Sequence, residues 1–316
     1  MKEINFLGLG FEVGQEQNGL KSSHEYFRQY FPFLKKQGFN LVDCGEVLCP
    51  EPFGIKLRSA DEISAFNWLP YKEAYARIQY LLKQPEVLLN WGGDHSVALA
   101  TVGAFAFQNP EGYVVWVDAH TDVNLPEYSL SGNLHGMPLS ILLNVQGVAS
   151  SHFPWIQNSL RADRLIYVGV RDLDPFEKEI VRELGITAFT ASDVRTQGMS
   201  AVSRKVLSKV QGKPLHVSFD IDSLSPEVAP STGVPVSSGL TLDEVMTLGR
   251  TLSQHSSLRS VDVVEVNPFL GSADDVFKTY FAALQFLTSL FHQGEIYDGI
   301  GRSIKADYTA SLESSP

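Results

Sequence analysis

Apolar residues along this chain fall into short runs of strand length, separated by longer stretches with helical spacing. The strand-length runs lie at 4–9, 40–43, 87–91, 114–117, 165–170, 186–189, 215–219 and 260–265. Several are unbroken rather than alternating, the pattern of strands covered on both faces. Between them, residues 71–83 place apolar or aromatic side chains at 71, 74, 75, 78, 81 and 82, which marks one face of a helix. Residues 96–107, 177–184, 200–210, 242–252 and 273–291 are the other helical candidates. Strands alternating with helices predict an α/β fold with a parallel sheet flanked by helices. In such sheets ligands sit beyond the carboxyl ends of the strands. Residues 124–134 are loop-like, with Pro126, Ser129, Ser131 and Gly132. No linker or repeat interrupts the pattern. One domain over 1–316 is therefore expected, with a small, polar tail after about residue 303 expected to be disordered.

Composition narrows the partners more than the fold. The net charge is −11, which argues against nucleic acid or an anionic membrane as partner and suits a cationic small substrate. No apolar run reaches the roughly 18 residues that span a bilayer. The N-terminal apolar stretch is too short for a signal peptide. Two cysteines, Cys44 and Cys49, form no Cys-x-x-Cys pattern and imply no disulfide framework. A reducing, cytoplasmic setting is the expectation.

Chemistry concentrates where strands should end. Directly after the apolar run 113–117 comes Asp118-Ala119-His120-Thr121-Asp122. Alternate side chains of an extended backbone share a face, so Asp118, His120 and Asp122 converge on one spot. Three ionisable groups beside a core are costly unless a cation compensates them, and mixed carboxylates and imidazole suit a divalent metal. Asp220-Ile221-Asp222 repeats the pattern after the run 215–219, which suggests more than one ion. Further polar clusters follow other strands: Gly92-Gly93-Asp94-His95-Ser96; Arg171, Asp172 and Asp174; and Glu265 with Asn267-Pro268. Taken alone, Glu265 could as well pair with an arginine such as Arg171.

Together, Gly-Gly-Asp-His-Ser at 92–96, Asp-Ala-His-Thr-Asp at 118–122, Ser-Phe-Asp-Ile-Asp at 218–222 and Glu-Val-Asn-Pro at 265–268 resemble the ureohydrolase family of arginases and agmatinases. The resemblance covers most of the chain. It implies a three-layer αβα fold with a parallel sheet of about eight strands. It also implies a binuclear manganese hydrolase, with Co²⁺ or Zn²⁺ as possible substitutes. One ion would be held by His95, Asp118, Asp122 and Asp220, the other by His120, Asp118, Asp220 and Asp222. A metal-bridging hydroxide would attack the guanidinium carbon, Asp122 would orient it and take its proton, and Glu265 would accept guanidinium hydrogen bonds.

The string Ser131-Gly132-Asn133-Leu134-His135-Gly136 is similar to the arginase branch. That similarity implies His135 as proton shuttle, Asn124 and Ser131 as ligands of a substrate α-carboxylate, and Asp174 and Glu177 as partners of its α-amino group. The expected reaction is hydrolysis of L-arginine, a guanidino amino acid, to L-ornithine and urea, by a homo-oligomer, trimer or hexamer. The chain departs from the family pattern at Ser225, Val234, Ser238 and the segment 19–23. None of these is a ligand position, but Val234 removes a hydroxyl near the guanidinium pocket. The alternatives are therefore another guanidino or formimino substrate (agmatine, guanidinobutyrate, formiminoglutamate) or a catalytically silent metal-binding member. The histidines outside the motifs, His24, His152, His216, His255 and His292, are expected to serve packing or the surface.

Overall fold

The computed structural model describes residues 2–156, 160–255 and 257–291. Eight strands form one sheet: β1 (Lys2–Gly10), β2 (Phe39–Leu48), β3 (Val87–Trp91), β4 (Tyr113–Val117), β5 (Leu165–Val168), β6 (Thr187–Phe189), β7 (Pro214–Asp220) and β8 (Ser257–Val264). Their order is β2-β1-β3-β8-β7-β4-β5-β6, and every pairing is parallel. The longer helices are α1 (Leu69–Leu81), α2 (Ala98–Gln108), α3 (Pro175–Glu183), α4 (Met199–Val210), α5 (Leu242–His255) and α6 (Ala273–Phe291). Among the described residues, no helix is long and apolar enough to cross a membrane. The expected tail lies outside the described residues.

The unbroken apolar runs have the cause read from them. Along β4, Val114 and Trp116 enter one core with α1 and α2, while Val115 and Val117 enter a second core with α4, α5 and α6. Both faces of the sheet are covered, so both positions of the alternation along β4 are apolar.

Several boundaries differ from the apolar pattern. β5 stops at Val168, because Gly169 turns the chain at φ 96°. β8 stops at Val264, and Glu265 sits beyond it at φ 61°. The helix expected from residue 96 begins as a tight 3₁₀ turn over His95–Val97, with Asp94 accepting a hydrogen bond from the Ser96 amide, before α2 starts at Ala98. β2 is much longer than its apolar segment because it is an edge strand, half exposed along its length. Two short helices, Ser23–Arg28 and Phe31–Lys36, precede it where no helix was expected.

The strand order positions the site. β3, β8, β7 and β4 are consecutive neighbours at the centre of the sheet. These four strands run into the four polar motifs at 92–96, 265–268, 218–222 and 118–122. At the first motif the backbone passes directly beneath the end of β1: the Asp94 amide donates to Phe11 O at 3.0 Å. A Cβ on Gly93 would fall 1.6 Å from that same carbonyl oxygen. Gly93→Ala should therefore lower stability by about 3 kcal/mol, read as a lower urea midpoint with unchanged slope. Gly136→Ala, where a Cβ meets nothing within 4 Å, is the control, expected within about 1 kcal/mol of the wild type.

Candidate metal centre and substrate cavity

His95 reaches the site from the turn after β3 and is fully buried. Its Nε2 contacts Ser218 Oγ at 2.8 Å. Its Nδ1 lies 3.0 Å from Asp118 Oδ2, 3.2 Å from Asp122 Oδ2 and 3.0 Å from Asp220 Oδ2. None of the three is aligned as a hydrogen bond, so the ring nitrogen points between the oxygens rather than at one of them. Three carboxylate oxygens thus lie about 3 Å from one imidazole nitrogen, and His95, Asp118 and Asp122 bring their donor atoms close enough together to hold a divalent ion. A second group lies alongside: His120 Nδ1 is 3.1 Å from Asp222 Oδ2 and 3.5 Å from Asp118 Oδ1. Asp118 thus belongs to both clusters, one carboxylate oxygen in each. The donors are hard oxygens and imidazole nitrogens with no thiolate, a set that fits Mn²⁺ and related ions.

The local backbone explains why these side chains converge. Asp118 Oδ1 accepts from the His120 amide at 2.7 Å, and Asp220 Oδ1 accepts from the Asp222 amide at 2.8 Å. Each motif therefore turns back on itself just past its strand. Asp122 holds a left-handed φ of 48°, as Glu265 does at 61°. Non-glycine residues in that region cost on the order of 1–3 kcal/mol and gather at functional sites.

Electrostatics without an ion are unfavourable. Burial, followed by the Asp118 charge, pushes the Asp122 carboxyl up to about 6. Burial raises Asp220 and Asp222 as well. Burial also opposes ionisation of Asp118, but the close imidazoles of His120 and His95 outweigh it and hold that carboxyl below its usual range. The imidazoles of His95 and His120 are disfavoured as cations by burial, yet the surrounding carboxylates raise both well above normal. In effect the cluster holds protons where a cation fits.

Above this floor opens a cavity of about 260 Å³ lined by His120, Asp122, Asp220 and Asp222 below and by Asn124, Ser131, His135, Asp174, Glu177 and Val234 on its walls. His135 Nδ1 contacts Glu265 Oε1 at 2.9 Å. Partial burial works against the His135 imidazolium, but the Glu265 carboxylate outweighs it and keeps the pKa above normal. Glu265 Oε1 also accepts from the His95 amide at 2.9 Å, while its buried Oε2 has no partner. The suggested pairing of Glu265 with Arg171 does not form. Arg171 turns to backbone carbonyls instead, including Asp222 O at 2.7 Å and Val236 O at 2.8 Å, because the loop after β7 offers it a ring of acceptors.

The four expected recognition residues all line the cavity, in an unexpected arrangement. Asn124 Nδ2 donates to Asp174 Oδ2 at 2.8 Å, so residues read as serving opposite ends of a substrate are bonded to each other. Glu177 also closes the capping box of α3, accepting from the Asp174 amide at 2.9 Å, and burial raises its carboxyl to about 7. The Ser131 hydroxyl accepts from the Asn133 amide at 3.2 Å.

A family model described as the Arginase family matches residues 2–292. The chain belongs to the arginase family. It is a hydrolase of the ureohydrolase type. Over 304 residues it is 36% identical to the hepatic arginase of Aquarana catesbeiana, covering 92% of this chain and 93% of the relative. Arginase-1 of Homo sapiens is 33% identical with the same coverage. Among solved structures, arginase from Bacillus cereus superposes with a TM-score of 0.81 at 28% identity, covering 94% of this chain and 100% of that one.

Three further residues support this family site, although no role was expected of any of them. Trp116 donates from Nε1 to Asp118 Oδ2 at 2.8 Å and stacks flat on the His95 ring, centroids 3.9 Å apart. Ser218 anchors His95, and Asp94 accepts from the Gly14 amide at 2.8 Å, tying the loop after β1 to the site. Period two held the signal for two of them: Trp116 alternates into Asp118, and Ser218 into Asp220 and Asp222.

A pH prediction follows from the carboxylates. Without metal, a folded-state pKa raised above its unfolded value contributes stability at low pH that is lost as pH rises through the folded value, near 6 for Asp122. With metal, the ionised form is the one bound. The gap in Tm between Mn²⁺-loaded and chelator-treated protein should widen from pH 5 to pH 7.5. A gap that is flat or narrows over that range would contradict a metal held by these carboxylates.

Proposed function

We propose that the protein hydrolyses L-arginine to L-ornithine and urea, using two Mn²⁺ ions for which Co²⁺ or Zn²⁺ are possible substitutes. The observation carrying this reading is the union of two carboxylate–imidazole clusters on the floor of one cavity with a polar wall of Asn124, Ser131, Asp174 and Glu177. Several relatives at these identities carry the name arginase. An acidic cavity suits a cationic guanidinium, and a wall with both donors and acceptors suits the zwitterionic end of an amino acid.

In this reading His95, Asp118, Asp122 and Asp220 would hold one ion, and His120, Asp118, Asp220 and Asp222 would hold the other. Bound there, the ions supply Lewis-acid polarisation and lower the pKa of water. The chain's own side chains handle orientation and protons. Glu265 Oε2, buried and unpartnered, is the acceptor for a guanidinium N–H. Asp122 takes the proton of the attacking water. His135, at the cavity wall and oriented by Glu265, returns a proton to the leaving amine. One water is consumed, and the guanidinium's positive charge leaves on the ammonium of ornithine. A homo-oligomer, trimeric or hexameric, of a cytoplasmic enzyme completes the reading, and sedimentation and cell fractionation test those two points.

A second reading, hydrolysis of another guanidino compound, is favoured by one observation: Val234, 39% exposed, presents an apolar surface to the cavity. A substrate panel with Mn²⁺-loaded protein separates the two. Urea release from L-arginine is expected. Release from agmatine or 4-guanidinobutyrate but not from L-arginine would replace the first reading with the second. Asp122→Asn should lower kcat by about 10²–10⁴-fold with the circular dichroism spectrum unchanged, and His135→Asn should do so with Mn²⁺ stoichiometry retained. Wild-type turnover in either variant would remove that residue from the mechanism.

A further inference from the structure

Below the site, five polar side chains are buried together inside the sheet. His216 of β7, Ser260 and Asp262 of β8, Asn90 of β3 and Thr101 of α2 are each at most 1% exposed. His216 Nδ1 contacts Ser260 Oγ at 2.7 Å, and Asn90 Nδ2 donates to Asp262 Oδ1 at 2.8 Å. Thr101 Oγ1 donates to Asp262 Oδ2. His216 Nε2 lies 3.2 Å from that same oxygen, off the line of a hydrogen bond. Nothing in the proposed chemistry uses this cluster, and burying it is costly.

Its position coincides with an irregularity in the sheet. Leu215 pairs with Leu258, but His216 pairs with Ser260, so β8 carries one extra residue, Arg259. Bulges are rare between parallel strands. Arg259 is anchored outward, donating to Leu82 O and Gln84 O at 2.8 Å each. On the inner side, His216 holds Ser260. Beyond the bulge the register runs Ser218 to Asp262 and Asp220 to Val264. Were the register of Leu215 continued, Asp220 would face Val263, and every later residue of β8 would change face. Glu265, the next residue after Val264, would then leave its place against the His95 amide and His135.

We infer that the His216–Asp262 network is a register lock: it holds the bulge at Arg259 and thereby positions Glu265 against the His95 amide and His135. His216 and Asp262 are positioning residues that act through Glu265. The inference rests on the proposed role of Glu265 for its kinetic arm only.

The test uses full-length protein. In metal-free Asp262→Asn, hydrogen exchange should show lost protection confined to the amides of 261–265, with the β4–β5 amides at wild-type protection. With Mn²⁺ bound, Asp262→Asn and Glu265→Gln should each lower kcat/KM by about tenfold or more, and the double variant should be no worse than about twofold below the poorer single one. Ser260→Ala, which removes one hydroxyl and no charge, should reproduce the exchange pattern if Asp262→Asn does not fold. Effects that multiply in the double variant, or exchange loss spread evenly through the sheet, would overturn the lock and leave the network as ordinary core. Wild-type activity in Glu265→Gln with the localised exchange loss would instead overturn the role proposed for Glu265 while keeping the lock.

Discussion

The structure depends on one constraint: a group of carboxylates taken out of water at the carboxyl ends of adjacent parallel strands. Asp118, Asp122, Asp220 and Asp222 are all buried, and Asp118 completely so. Their mutual repulsion is met only in part by two imidazoles. Compact folding around such a cluster needs either protons or cations in it, and burial raises the carboxyls of Asp122, Asp220 and Asp222 in the direction that favours protons where no ion compensates them. Apolar layers on both faces of the sheet provide the stabilisation that offsets this cost.

The residues around the cluster serve the same constraint. A neutral indole, a hydroxyl and backbone amides supply hydrogen bonds without adding charge: Trp116 to Asp118, Ser218 to His95, and the amides of His120 and Asp222 to the carboxylates before them. The nearby cation, Arg171, is kept out by giving its guanidinium to backbone carbonyls of the loop after β7. Were it inserted among the carboxylates, it would neutralise them permanently and leave no place for a metal. Strain at Asp122 and Glu265 belongs here too. A relaxed backbone at those positions would point the side chains elsewhere.

The order of strands and helices was legible because a sheet buried on both faces writes itself as unbroken apolar runs. The gathering of Asp118, His120 and Asp122 at one strand end was legible because Asp-x-His-x-Asp after such a run has few other meanings. The turns at Asp118 and Asp122, however, split the three between two clusters instead of the single spot that period two implied. What stayed hidden has physical reasons. The edge strand β2 looked short because half of it faces water. The end of β8 was read one residue late because Glu265 adopts a backbone conformation that its residue type rarely takes. His216 read as packing, and its polar partners, Ser260 and Asp262, come from the neighbouring strand β8, a juxtaposition that only the folded register creates. The wall contact between Asn124 and Asp174 was equally invisible, since it joins residues fifty positions apart.

That contact bears on how substrate choice is built. The floor of the cavity belongs to strand ends, held by sheet register and unable to vary without losing the metal clusters. The walls belong to the loop after β4 and to the capping turn of α3, where Asn124, Asp174 and Glu177 brace one another. A preformed Asn–Asp pair presents a donor and an acceptor side by side with little rotational freedom left to lose on binding. In the proposed function such a wall presents fixed polar groups to a charged amino acid head, whereas Val234, which also lines the cavity, offers only shape. Discrimination among guanidino compounds should then come from the head group bound by the braced wall, and chemistry from the floor they share.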